Sequence, residues 1–201
     1  MPLLEHGPLN ERTVHLCIDM QRIFSTEGPW PTPWMERVLP TVERIVERFP
    51  ERTVFTRFIT PERPEDMPGT WRQYYERWRE TTRERLDPHM LDLMPPLARF
   101  VPPATVIDKP VYSAFAGHKL AELLHHRGAD TLVVTGSETD VCVLATVLGA
   151  VDHGYRVVIV ADGLCSSSDE GHDTLLALYS KRFNQQIETA DSETILSSWR
   201  E

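Results

Sequence analysis

The chain has 201 residues, 41% hydrophobic and 25% charged, a balance ordinary for a soluble protein and enough for one substantial core. Its 30 acidic against 21 basic side chains leave a net charge of −9, which argues against nucleic acid or an anionic membrane surface as partner. No run approaches the roughly 20 apolar residues of a membrane span, the N-terminus has no signal-peptide pattern, and three cysteines are too few for a disulfide framework, so a reducing, cytoplasmic setting is expected.

In chain order, TVHLCID (13–19) is a short apolar run of β-formers and predicts a buried strand. TVERIVERF (41–49) spaces Val42, Ile45, Val46 and Phe49 as a helix stripe, with Pro40 in its first turn. TVFTRFI (53–59) is the next strand, followed by an irregular, proline-rich region, 60–104, that holds an aromatic helix. TVIDK (105–109) predicts a third strand, and HKLAELLHHRG (118–128) a helix ended by Gly128. TLVVTG (131–136), the helix DVCVLATVLGAVDHG (140–154) and RVVIVAD (156–162) continue the alternation. A helix at 169–182, an edge strand QQIETA (185–190) and a short terminal helix complete it.

Strands that are apolar throughout are buried on both faces, which predicts a parallel sheet between helices. The expected fold class is therefore α/β, a three-layer α/β/α, Rossmann-like domain with a six-stranded, mainly parallel sheet. One domain spans 1–201, with 1–12 as a tail and 60–104 as an insert that shapes the substrate pocket. Ligands in such folds sit beyond the C-terminal ends of the strands.

Asp19 closes the first strand, Lys109 closes the third, and Cys142 opens the helix after the fourth. Each alone has a structural explanation: a cap, a solvated lysine, a packing cysteine beside Val141, Leu144, Leu148 and Val151. Together they meet a chemical need. A thiol attacking a carbonyl gives up its proton, which a carboxylate can take, and a lysine beside both favours thiolate and carboxylate. The start of a helix adds the positive end of its dipole, so a Cys142 thiolate is expected.

The motifs around these residues resemble those of the isochorismatase-like cysteine hydrolases, a superfamily that includes nicotinamidases, N-carbamoylsarcosine amidohydrolases and biuret hydrolases. IDMQRIF (18–24) resembles the first-strand motif, DKPVYSAF (108–115) the lysine motif and GSETDVCVLATVLGAVDHGYRVVIVADG (136–163) the nucleophile segment; EGHDTLL (170–176) resembles the last helix. The resemblance implies Asp19 as general base, Lys109 as the second member of a triad and Cys142 as nucleophile. It further implies a non-proline cis peptide between Ser137 and Glu138, with the N–H groups of Glu138 and Cys142 as the oxyanion hole. Relatives commonly form dimers or tetramers, so a homodimer or homotetramer is expected.

Nicotinamidases carry D-x-H at the end of the second strand to bind a metal; here Thr56, Arg57 and Phe58 stand there, and no histidine lies between His15 and His89. No metal and no cofactor are expected, and His125–His126 lack a ligand pattern. The presence of Cys142 disfavours vinyl-ether hydrolysis of the isochorismate type. The leading expectation is hydrolysis of a small amide, ureide or N-carbamoyl compound through a thioester on Cys142. The alternatives are another small-molecule bond, nicotinamide among them, or a binding protein without turnover.

For the pocket, Phe24 and Tyr112 flank Asp19 and Lys109. Arg57 is either a partner for a substrate carboxylate or carbonyl, or half of an internal ion pair. Trp71, Tyr74, Tyr75 and Trp78 form a helix stripe that reads chiefly as core or interface, with Trp71 or Tyr75 facing a planar substrate as the functional version. Cys17 reads as packing and Cys165 as a loop thiol. Thr139 and Asp140 are expected to cap the nucleophile helix, and Ser166 to Asp169 to start the next one.

Overall fold

Strand β1 (Thr13–Ile18) lies inside the sheet with every residue buried, on both faces. Val14, Leu16 and Ile18 enter one core cluster and Cys17 another. Beside it run β2 (Thr53–Phe58) and β4 (Thr131–Ser137), then β3 (Thr105–Lys109) outside β2, and β5 (Arg156–Cys165) and β6 (Ile187–Ala190) outside β4. Every pairing is parallel, so the six-stranded sheet expected as mainly parallel is wholly so. This computed structural model describes residues 4–200.

The order β3-β2-β1-β4-β5-β6 reverses direction between β1 and β4. Chains leaving those two neighbours diverge, which opens a crevice at the C-terminal edge of the sheet. One face is covered by α4 (His118–His126), α5 (Leu144–Asp152) and α6 (Asp169–Arg182), through Leu120, Leu124, Val147, Ala150, Leu175 and Tyr179. The other is covered by α1 (Met35–Arg48) and α7 (Ser192–Ser198), through Val42, Ile45, Val46 and Ile195. The 60–104 segment holds α2 (Gly69–Arg77), the one-turn α3 (Pro95–Ala98) and several 3-10 turns, and it buries Tyr75, Leu91, Leu93 and Leu97 in the second cluster. Leu9 is also buried and bridges to Trp199, so this part of the segment read as a tail, of which residues 1–3 lie outside the described residues, lies against the C-terminal helix layer.

Two boundaries differ from the sequence pattern for visible reasons. Helix α1 begins at Met35 rather than Thr41, because Met35, Val38 and Leu39 are buried under the crevice loops and hold an extra turn and a half; Pro40 is therefore interior. Strand β5 continues three residues past Asp162, because a register shift opposite Val134 and Gly136 lets it resume pairing at Leu164 and Cys165. Cys165 is accordingly a buried strand-end residue and not a loop thiol.

Gly136 is the tightest point of the sheet. Its φ is 116°, and a Cβ there would lie 2.0 Å from the Ile18 carbonyl oxygen. Only glycine lets β4 come this close to β1 one residue before Asp19.

Candidate active site

Asp19 follows β1 directly and takes a left-handed backbone conformation, φ 48°, which any non-glycine residue adopts at a cost and Asp tolerates better than most. The turn is held by Thr56 of β2. Its backbone oxygen and its hydroxyl both accept from the Asp19 N–H at 3.2 Å, and the hydroxyl donates back to Asp19 Oδ1 at 2.5 Å. The other carboxylate oxygen, Oδ2, lies 2.6 Å from Lys109 Nζ. Oδ2 takes no hydrogen bond from a hydroxyl or backbone N–H among the described residues.

Lys109 reaches Asp19 from an outer strand by crossing the end of β2. It is in register with Phe58, its ammonium lies 4.9 Å from that ring's centroid, and it donates to the Val111 carbonyl at 3.1 Å. Asp19 and Lys109 are 0% and 3% exposed. Burial acts most strongly on the lysine and would lower its pKa, but the Asp19 carboxylate and then Cys142 outweigh it, so the ammonium titrates above its ordinary range.

Cys142 sits in a π-helical turn, Thr139–Val143, that leads into α5; the Val143 N–H reaches back five residues to the Glu138 carbonyl. Its thiol interacts with both Asp19 and Lys109. Burial first and the Asp19 charge second push its pKa well above the usual thiol range, against the opposing pull of Lys109. Burial of this 5% exposed residue therefore favours the thiol, against the thiolate that the helix start alone favours.

Thr139 and Asp140 do not cap this helix, since Glu138 is its N-cap residue and no side chain closes it. Instead they dock it onto the start of α6. The Thr139 hydroxyl donates to the Cys165 carbonyl at 3.2 Å and so accepts from His172 Nδ1–H at 2.8 Å, while Asp140 accepts from the Ser166 hydroxyl at 2.5 Å. Ser168, as expected of that serine run, caps α6 by accepting from the Gly171 N–H. The cis peptide implied between Ser137 and Glu138 is present.

Above these residues opens a cavity of about 330 Å³. Cys142 and Val141 are at its base, and Phe24, Trp30, Phe58, Tyr74, Trp78 and Tyr112 form its walls. Pro29 and Pro31 flank Trp30. Glu138 and Ser167 stand at one side, where the Glu138 carboxylate accepts from the Ser167 N–H at 2.9 Å and from the Ser167 hydroxyl.

Of the residues put forward for substrate contact, Phe24 and Tyr112 line the cavity. Arg57 does not: on β2 it points to the opposite face from Thr56 and Phe58, and it is in register with Asp108, which it binds through Nε at 2.7 Å and Nη2 at 2.9 Å. Trp71 and Tyr75 are displaced as well. Tyr75 is fully buried, and Trp71 stands behind the wall, 4.7 Å from Tyr112 between ring centroids. The stripe does reach the cavity, but through its other half, Tyr74 and Trp78. Trp30 carried no signal at all, lying in a proline-flanked loop without periodicity. Cys17 is buried, its pKa pushed up to about 12 by burial, in keeping with packing. Among the described residues, no group of three or more His, Cys, Asp or Glu could hold a metal, and no helix is long and apolar enough to cross a membrane.

Comparison with known proteins adds four findings. The family model for the isochorismatase domain matches residues 13–191. An isochorismatase family protein of Bacillus subtilis, YwoC, is 25% identical over 187 residues, 90% of this chain and 92% of that one. Maleamate amidohydrolase of Pseudomonas putida is 31% identical over 87 residues, and the match spans 43% of this chain but only 41% of that protein's length. Among solved structures, a cysteine hydrolase from Pseudomonas syringae pv. phaseolicola shares the fold, with a TM-score of 0.83, 21% identity and 99% of each chain covered.

Proposed function

The chain belongs to the isochorismatase family, and on that premise we propose that it is a metal-independent cysteine hydrolase that cleaves a small amide, ureide or N-carbamoyl compound through a thioester on Cys142. The observation that carries the proposal is the buried Asp19–Lys109 ion pair at 2.6 Å, in contact with a thiol at the base of a cavity walled mainly by aromatic rings. No packing requirement asks for that set. The relative named for hydrolysis of maleamate, itself an amide, points to the same class.

Because burial favours the Cys142 thiol, its S–H bond breaks as the sulfur attacks: the proton passes to Asp19 Oδ2 while the S–C bond forms to the substrate carbonyl. Negative charge moves from Asp19 through sulfur to the carbonyl oxygen. Lys109, against both groups, compensates it at each stage. The oxyanion is received by the N–H groups of Glu138 and Cys142. Asp19 returns its proton to the leaving nitrogen, the C–N bond breaks, and ammonia or an amine departs. Water then attacks the thioester carbonyl, giving its proton to Asp19, which passes it to the departing sulfur and restores the thiol. Thr56 holds Asp19 Oδ1, so Oδ2 is the oxygen that moves protons.

Ammonia release from a panel of primary amides, ureides and N-carbamoyl compounds, measured with and without chelator, tests the proposal. The expected result is chelator-resistant release that falls at least 1,000-fold in Cys142→Ala, as loss of a nucleophile does. Release that survives the substitution would overturn the role of Cys142, and release abolished by chelator would overturn metal independence.

A further inference from the structure

Resting on that reading of the site, we propose that the cavity takes amides whose acyl part is flat and uncharged, and that the Glu138 carboxylate is the specificity determinant that bars substrates carrying a carboxylate of their own. Two independent observations meet here. The first is the wall. Trp30 is surrounded by Phe24, Phe58, Tyr74 and Trp78 at centroid distances of 6.0, 6.1, 6.0 and 6.2 Å, with Tyr112 beyond Phe58 at 6.4 Å. These rings pack on one another and still border about 330 Å³, which is room for one small planar molecule beside Cys142.

The second observation is the charge on that wall. Among the described residues, no Lys, Arg or His lines the cavity, and Glu138 is the only ionisable carboxylate that does. The Lys109 ammonium does not line the cavity and is held by Asp19, the Val111 carbonyl and Cys142. The guanidinium that the sequence suggested, Arg57, lies outside and is bound by Asp108. A substrate carboxylate entering this space would lose its hydration, meet the negative faces of aromatic rings and be repelled by Glu138, with no cation to receive it. After burial and their neighbours, the Glu138 charge is among the influences that raise the Tyr74 and Tyr112 hydroxyls, with the Lys109 ammonium opposing it at Tyr112. A flat neutral acyl group meets none of these penalties.

The test uses a pair of nearly isosteric primary amides, 4-nitrobenzamide and 4-carbamoylbenzoate, which differ in charge far more than in shape. Wild-type protein is expected to release ammonia from the neutral amide with kcat/KM at least 100-fold above that for the anionic one. In Glu138→Gln, which keeps an oxygen for the Ser167 N–H, that ratio is expected to fall at least tenfold. Binding is read separately in Cys142→Ala by titrating tryptophan fluorescence, since Trp30 and Trp78 line the site. There the neutral compound should bind at least tenfold more tightly. That preference without turnover in the wild type would retain the specificity claim and remove the amidohydrolase reading. Turnover of other amides with equal binding of the pair, binding of neither, or a ratio unmoved by Glu138→Gln would overturn the specificity claim and leave the hydrolase reading standing.

Discussion

The base of the cavity and its walls are built by opposite means. At the base, Asp19 and Lys109 come from the ends of β1 and β3, where a hydrogen-bonded ladder and a specific polar partner hold each, while Cys142 comes from the π-helical turn after β4. Apart from Phe58 at the end of β2, the walls come from the loop before α1, from α2 and its end, and from the segment after β3; their rings meet tilted or edge to face with few polar ties. Reactive groups need placement to within a fraction of an ångström, which a sheet provides, whereas recognition of a small apolar molecule needs only shape and dryness, which loop aromatics provide. Changes at the base should therefore act on turnover and stability, and changes in the walls on substrate binding.

The largest effect is expected from Lys109→Met. Removing the cation leaves a fully buried carboxylate unpaired, so an expected destabilisation of about 3–5 kcal/mol accompanies loss of activity. Urea unfolding measures the first and ammonia release the second. A variant as stable as the wild type would show that the ion pair does not hold the base together.

A smaller effect concerns His15, which lies below Asp19 in β1. Its Nδ1–H donates to Thr53 Oγ1 at 3.2 Å, because that hydroxyl's proton is already given to the Phe49 carbonyl; Nε2 then accepts from Thr135 at 2.8 Å. Burial lowers its pKa to about 3, so the folded protein holds the ring neutral while the unfolded chain takes a proton below about 6.5. Stability from this group is present above pH 6.5 and is lost as the pH falls towards 3, by about 2 kcal/mol between pH 7 and pH 5. Chemical denaturation at both pH values should show that slope in the wild type and a shallower one in His15→Gln. Equal slopes would show that other groups govern the acid limb.

The smallest effect belongs to the walls. Trp78→Leu should raise KM roughly tenfold, about 1.4 kcal/mol, while kcat and the unfolding midpoint change little, because the ring lines the cavity without polar ties to the base. A fall in kcat with KM unmoved would mean that the walls also position the reacting atoms.

Much of this was legible from residue order. Strands with two apolar faces identified a sandwiched parallel sheet, and Asp19, Lys109 and Cys142 stood out because each ends or follows such a strand. What failed to show were matters of facing. Arg57 and Phe58 are neighbours with equal claims in the sequence, yet strand alternation sends one to Asp108 and the other to the cavity. In the aromatic stripe, both Trp71–Tyr75 and Tyr74–Trp78 satisfy helical spacing, and only the tilt of α2 decides which pair meets the space above Cys142. Likewise Thr139 and Asp140 look like caps by position, but docking of α6 gives them other partners.

The sequence by itself determined the layers, the alternation of elements and the three residues at the base, because hydrophobic periodicity and strand ends are local properties written in consecutive residues. Tertiary structure alone decided the direction in which the Cys142 pKa moves, upward, through burial first and the Asp19 charge second. It also decided which rings form the walls and why Glu138 is the one charge among them, since those depend on distances between segments far apart in the chain.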